Sequence, residues 1–171
     1  LRTYMETIKQ LRGQYLLGAD SAGALVERNI ARVNDPAGEG ARAFLSLNES
    51  AARAAAAASD TRMREADSRP LDGITIAIKD LFDVAGEVTG AGSTVLRSRP
   101  PATSDCPAVA RLRDAGAIIF GRNNMVEFAF SGIGINPHFG TPRSIWGRTA
   151  AGAGRVPGGS SSGGGVAVAD G

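Results

Sequence analysis

The sequence has 171 residues, 43% hydrophobic and 21% charged, which is the composition of one globular domain and excludes a disordered or fibrous protein. Its 19 basic residues are dispersed among 17 acidic residues, so the net charge of +2 offers little support for direct binding to nucleic acid. The single cysteine excludes an internal disulfide, and one histidine is too few for a Cys/His zinc cluster. With no apolar run long enough to span a membrane, we expect a cytoplasmic protein without a metal.

The first 67 residues are predicted to be helical. Leu25, Val26, Ile30 and Val33 recur at helical spacing, which predicts a helix over Ala22–Val33. A second, alanine-rich helix is expected to begin at Asn48 or Ser50 and to continue to about residue 66, since alanine loses the least side-chain entropy in a helix.

Strands and helices alternate after residue 70. In GITIAIKD the isoleucines alternate with other residues, which predicts a strand that ends at Lys79, with the lysine on the face opposite the isoleucines. Asp105–Ala115 is predicted to be a helix with Pro107 in its first turn, and Ala117–Phe120 a second strand. The alternation predicts an α/β fold.

The last third of the sequence is predicted to be mostly loop. Met125–Phe130 indicates one further short helix, and Ser131–Gly159 is rich in Gly, Pro, Asn and Ser. A loop of this length is more often functional than structural. Gly163–Gly171 is expected to begin a buried helix whose N-terminal amides face a site.

The stretch GGSSSGGGVAVADG, at the end of this loop, places three serines between glycines. It lacks the lysine of a phosphate-binding P-loop, and neither GIGINP nor GAGRVP completes a dinucleotide-binding fingerprint. Gly159–Gly163 matches the G-x-S-x-G nucleophile elbow, with Ser161 as nucleophile. That triad needs a later histidine, whereas His138 precedes the motif and is expected to interact locally.

A serine nucleophile needs a base, and lysine is the alternative to histidine. A lysine amine accepts a proton once burial among apolar groups has made it neutral. Lys79, at the end of an apolar strand, is the candidate. The alternative is that Lys79 is an edge lysine paired with Asp80 or Asp83.

Four segments in the same order resemble the amidase signature family: GITIAIKDLFDVAG, AGAIIFGRNNMVEFA, NPHFGTPRSIW and PGGSSSGGGVAVADG. The resemblance is close over residues 71–171 and loose over the N-terminal helices. It implies an α/β fold with a mixed central sheet flanked by helices, and a Ser-Ser-Lys catalytic triad without metal or cofactor. We expect a single amidase-signature domain over residues 1–171, with 1–67 as a helical lead-in and 71–171 as the start of a catalytic core that is incomplete at its C-terminus.

The resemblance also implies roles for individual residues. Lys79 matches the family's base, and Ser160 matches the serine that bridges base and nucleophile and follows a cis peptide bond from Gly159. Ser161 matches a position that supports this network by hydrogen bonds. The segment expected to line the substrate pocket is Ala129, Phe130, Ser131 and Gly132.

Two features depart from the family pattern or fall outside the chain. GRNNM replaces the frequent G-K-T-N-M, so Arg122 and Asn123 receive no role from the resemblance. The family's acylated serine is expected beyond Gly171, together with the oxyanion-hole amides.

The resemblance implies an amide hydrolase that forms an acyl-serine intermediate on a small-molecule amide, and it allows for a homodimer. The alternatives are the glutamine-hydrolysing component of a tRNA-dependent amidotransferase and, from another class, a non-catalytic truncated scaffold.

Overall fold

The structure is a computed structural model that describes residues 6–148 and 154–171. The helices are α1 (Ile8–Leu16), α2 (Ala22–Val33), α3 (Gly40–Ala43), α4 (Glu49–Arg64), α5 (Pro107–Asp114) and α6 (Ser162–Asp170). The strands are β1 (Phe44–Leu47), β2 (Thr75–Lys79) and β3 (Ile118–Asn123), and a 3₁₀ turn spans Glu127–Ala129.

The three strands form a mixed sheet in the order β1-β3-β2, as the expected α/β fold requires. β3 pairs antiparallel with β1 and parallel with β2, so the strand in the centre is fully buried. The parallel register ends with Lys79 directly opposite Asn123. The C-terminal ends of both parallel strands therefore meet at one edge of the sheet.

Local capping explains where three of the helices begin. Thr7 and Gln10 form a capping box at α1, in which each side chain accepts a backbone N–H of the other residue. Ser21 caps α2 and Asn48 caps α4, two of the predicted starts. These caps satisfy backbone donors that a helix cannot pair internally.

Helices cover both faces of the sheet. On one face, small and β-branched residues of α2 and α4 pack against Ile118 and Phe120 of β3. On the other face, Ile78 of β2 and Ile119 of β3 pack against Val109 of α5. Because side chains alternate along a strand, Lys79 lies on the face opposite Ile78, as predicted.

Three predictions from the sequence need correction. The first 67 residues include strand β1, which forms only because it pairs with β3 far along the chain. β3 continues past the predicted Phe120 to Asn123, because the backbone ladder extends beyond the apolar residues. Within 125–130 only a 3₁₀ turn forms, since Phe128 and Ala129 have positive φ values of 51° and 58°.

A buried ion pair fixes the strand ends beside the site. Arg122 is 3% exposed and donates hydrogen bonds to the Asp80 carboxylate, at 3.1 Å for the shorter, and to the Phe82 carbonyl. Asp80 also accepts N–H groups from Gly90 and Gly92. Arg122, which follows a strand of apolar residues, is thus neutralised and structural.

A second buried carboxylate fastens the long loop to the lead-in. Glu39 is 1% exposed and accepts hydrogen bonds from the side chains of Arg42 and Arg143, each at 2.7 Å, and from the Arg143 backbone N–H. Burial alone would raise the pKa of Glu39, but these three donors outweigh it and lower the pKa to about 2.

The Glu39 interactions predict a loss of stability in acid. The pKa is lowered in the folded protein from an ordinary value of 4.5, so the stabilisation is complete above pH 4.5 and is lost as the pH falls towards 2. We expect Glu39→Gln to lower the free energy of unfolding by roughly 1–3 kcal/mol at pH 7, because it leaves two partly exposed guanidinium groups without their shared counter-charge. Denaturant unfolding at a series of pH values measures both effects.

Glu27→Gln is the matched control. Glu27 also binds an arginine, Arg53, but its side chain is 55% exposed, so the pair is screened by solvent. We expect no measurable change in stability. Equal stability losses in the two variants would show that burial of Glu39 is not the cause.

Candidate active site

Lys79 and Ser160 meet at the edge of the sheet. The Lys79 Nζ lies 2.7 Å from the Ser160 Oγ, although 81 residues separate them in the sequence. Lys79 ends β2, and Ser160 lies just before α6, which packs on the same two strands. The predicted proximity is confirmed. Lys79 is partly buried rather than fully buried, because β2 is an edge strand of this sheet.

Glycines let the serine segment approach the sheet closely. The peptide bond between Gly159 and Ser160 is cis, as expected. A Cβ at Gly159 would lie 2.9 Å from the backbone of Gly134, and a Cβ at Gly163 would lie 2.0 Å from the carbonyl oxygen of Ala43. Both contacts are too short for any side chain, so glycine is required at these positions.

The other two serines do not contact Lys79 among the described hydrogen bonds. Ser161 is exposed at the start of α6, its side chain does not cap the helix, and only its carbonyl is engaged there, by the N–H of Gly165. Ser162 is 1% exposed and its Oγ lies 3.4 Å from the carbonyl oxygen of Asn124. The geometry thus separates Ser160 from its neighbours.

The segment expected to line a substrate pocket lies next to the serine segment. The Gly132 carbonyl accepts the N–H of Gly159, and the N–H of Val126 donates to the Ser160 carbonyl, at 2.8 and 2.9 Å. Phe130 is 93% exposed between these two contacts. The remaining members of the segment are Ala129, in a left-handed conformation, and Ser131, whose Oγ accepts the N–H of Ile133.

A polar cluster holds this segment in place. The Glu127 carboxylate accepts a hydrogen bond from Ser93 Oγ at 2.6 Å and contacts His138 Nε2 at 2.9 Å. The Ser93 bond, followed by the contact with His138, lowers the pKa of Glu127. His138 therefore interacts locally, as predicted, and is fixed to Glu127 rather than to a serine of the GSSSG segment.

The alternative interpretation of Lys79 as a paired edge lysine is wrong. Asp80 binds Arg122, and the Asp83 carboxylate accepts a hydrogen bond from Thr89. Within residues 6–148 and 154–171, Lys79 forms no ion pair, and its side chain has Ser160 as its hydrogen-bond partner. An unpaired amine beside a hydroxyl can exchange a proton with it.

Sequence reasoning assigned Asn123 no role, yet it is part of this site. Asn123 lies opposite Lys79 in the parallel register and is 3% exposed. Its Nδ2 has no hydrogen-bond partner within the described part of the chain. Its Oδ1 lies against α6, 3.5 Å from where a Cβ of Gly164 would stand. The one signal in the sequence was the unusual spelling GRNNM.

Two searches of the described residues bear on other functions. No group of three or more His, Cys, Asp or Glu side chains there is arranged to hold a metal ion. No helix in the same residues has the length and apolar character needed to cross a membrane.

Comparisons with known proteins agree with this geometry. The chain is 39% identical over 168 residues to a glutamyl-tRNA(Gln) amidotransferase component, the GatA-type polypeptide of Lacticaseibacillus paracasei, covering 98% of the chain and 33% of that protein. It is 38% identical over 168 residues to AtzE, a component of the 1-carboxybiuret hydrolase of Pseudomonas sp. (strain ADP), covering 98% and 35%. The chain thus spans about a third of the length of these curated relatives.

A solved structure and a family profile extend the comparison. The native peptide amidase from Stenotrophomonas maltophilia superposes with a TM-score of 0.80 at 32% identity, covering 98% of this chain and 34% of the peptide amidase. The profile described as Amidase matches residues 24–171. The chain therefore belongs to the amidase signature family.

Proposed function

We propose that the protein hydrolyses a carboxamide C–N bond through an acyl-serine intermediate, with Lys79 as base and Ser160 as bridging serine. The observation that supports this proposal is the 2.7 Å contact between Lys79 Nζ and Ser160 Oγ at the meeting point of β2 and α6. Hydrolase names among the relatives agree with it. A scaffold without activity would have no need of an amine held free of ion pairs beside a hydroxyl.

The proposed reaction moves one proton along this pair. A nucleophilic serine hydroxyl passes its proton to Ser160 Oγ while Ser160 passes its own to the neutral amine of Lys79, and the serine oxygen attacks the amide carbon. Collapse of the tetrahedral intermediate breaks the C–N bond, and the departing nitrogen takes the proton back. Water then cleaves the acyl ester by the same path, which releases the acid and restores the serine.

The nucleophile in this proposal is a serine outside residues 1–171. Ser161 and Ser162 are adjacent to the bridging serine, and neither side chain contacts Lys79 or Ser160 among the described hydrogen bonds. The oxyanion-hole amides are assigned to the same outside segment. On this assignment residues 1–171 supply the base-and-bridge part of a single amidase-signature domain, with 1–67 as lead-in and 71–171 as the start of the core.

The segment from Ala129 to Gly132 is proposed to contact the substrate. Its hydrogen bond to Gly159 places it within one residue of the bridging serine, and its most exposed side chain, Phe130, is apolar. Ser161 is assigned a supporting role through the backbone, because its carbonyl starts the α6 ladder that presents the serine segment.

The second candidate is the glutamine-hydrolysing component of an amidotransferase, in which the same chemistry would release ammonia from glutamine for a partner. The 39% identity to the Lacticaseibacillus paracasei protein favours it. A cytoplasmic protein that forms a homodimer and makes no contact of its own with nucleic acid fits the first candidate, and the balanced charge and single cysteine support that assignment.

We expect Lys79→Met to lower kcat for hydrolysis of simple amides by about 10²- to 10⁴-fold, since a positioned base contributes on this order. Ser160→Ala should cause a similar loss, and the double variant should be no worse than either single one, because the two residues act as a unit. Ammonia release is the measurement. Lys9→Met is the matched control, because Lys9 is an exposed lysine on α1 and should not affect kcat.

A serine-directed fluorophosphonate should label the nucleophile. We expect peptide mapping of the labelled protein to place the adduct on a serine outside residues 1–171, and Lys79→Met to slow the labelling. An adduct on Ser161 or Ser162 would contradict the assignment of the nucleophile.

The two candidate activities predict different partner requirements. A free amidase should release ammonia from simple amides when it is purified alone. An amidotransferase component should hydrolyse glutamine and should be stimulated by partner proteins and charged tRNA. Equal activity with and without such partners would exclude the second candidate.

A further inference from the structure

We propose that Asn123 is a positioning residue for the amine of Lys79: its neutral carboxamide, with a free N–H₂ donor, keeps the lysine without a counter-charge and so favours the uncharged form that accepts a proton. The inference deepens the proposed function and rests on it for its role in turnover. Three observations carry it: the register, the unpaired donor and the absence of facing carboxylates among the described residues.

The register places the two side chains side by side. Residues directly opposite each other on neighbouring strands project to the same face of a sheet, and the parallel ladder pairs Lys79 with Asn123. The preceding residue of β3, Arg122, turns to the opposite face and reaches Asp80. Asn123 therefore shares the face of the sheet on which Lys79 reaches Ser160.

The unpaired donor shows that the asparagine is not there for packing alone. A buried polar group without a partner costs on the order of 1–3 kcal/mol, so natural proteins rarely retain one without a compensating role. The Nδ2 of Asn123 is such a group within residues 6–148 and 154–171. The positive end of an N–H bond next to an amine disfavours the ammonium form and is compatible with the neutral form.

The charged groups on the neighbouring elements are all engaged elsewhere. On the chain that follows β2, Asp80 binds Arg122 and Asp83 accepts from Thr89. The first turn of α6 carries only serine and glycine.

Two further acids lie on elements that pack near the site. Glu127, on the loop that donates to the Ser160 carbonyl, is bound by Ser93 and His138. Asp170, at the far end of α6, pairs with Arg148. Asn123 is thus the polar side chain of β3 on this face whose charge can be changed without breaking a described hydrogen bond of Nδ2.

Asn123→Asp is the decisive variant because it is almost isosteric and adds one negative charge beside Lys79. A carboxylate within about 4–6 Å favours the charged form of a base by 1–3 pH units. We therefore expect the rising limb of the pH–rate profile for amide hydrolysis to move to higher pH by at least about 1 unit. Asn123→Leu removes the donor without adding charge, so its profile should move in the same direction by less.

Lysine labelling reads the amine without turnover. The chain has two lysines, Lys9 and Lys79, and Lys9 is exposed on α1, so it is an internal reference. Trace acetylation with acetic anhydride over a range of pH, quantified by mass spectrometry, gives the reactivity of Lys79 relative to Lys9. We expect the onset of Lys79 acetylation to move upward in Asn123→Asp as the rate profile does.

Asn48→Asp is the matched control. Asn48 is exposed, lies beyond the far end of β1, and caps α4, a role that aspartate fills equally well. It adds the same charge at a distance from Lys79, so neither the labelling nor the rate profile should move.

The outcomes separate the inference from the proposed function. Labelling that shifts in Asn123→Asp, in a protein that hydrolyses no amide, would support the role of Asn123 and overturn the proposed function. Unchanged labelling in Asn123→Asp, or an equal shift in Asn48→Asp, would overturn the inference while hydrolysis by the wild type stands. If Asn123→Asp does not fold, Asn123→Leu decides, and an unchanged Lys79 profile there overturns the inference.

Discussion

The hydrogen bond between Lys79 and Ser160 depends on the parallel pairing of β2 with β3. That pairing brings the C-terminal ends of two strands to one edge of the sheet, where α6 can pack on both. Arg122 and Asp80 hold the strand ends from the opposite face, so the polar groups of the two faces do not compete. The same strands thus carry a neutralised ion pair on one side and an unpaired amine on the other.

The two faces use charge in opposite ways for physical reasons. A buried guanidinium is tolerated only when it is paired, and Arg122 finds the Asp80 carboxylate and a backbone carbonyl. An amine that must exchange a proton needs the reverse, an environment of neutral hydroxyl and amide groups. Alternation along a strand allows adjacent residues such as Lys79 and Asp80 to meet both requirements within one peptide unit.

Sequence reasoning succeeded where the signal was local. Caps at Ser21 and Asn48, the isoleucine alternation that ends at Lys79, and the glycine-flanked serines each depend on a few neighbouring residues. The sequence alone could not identify β1 as a strand, because its partner β3 lies far along the chain. The contact of Lys79 with Ser160 came from the resemblance, not from periodicity.

Asn123 shows why part of a site escapes such reasoning. A polar residue at the end of an apolar strand reads as the end of burial, yet here the ladder continues and the side chain is 3% exposed. Its importance follows from a missing hydrogen bond and from the identity of the residue opposite, neither of which has a local signature. A base of this kind is therefore defined by the charges withheld from it as much as by the hydroxyl it contacts.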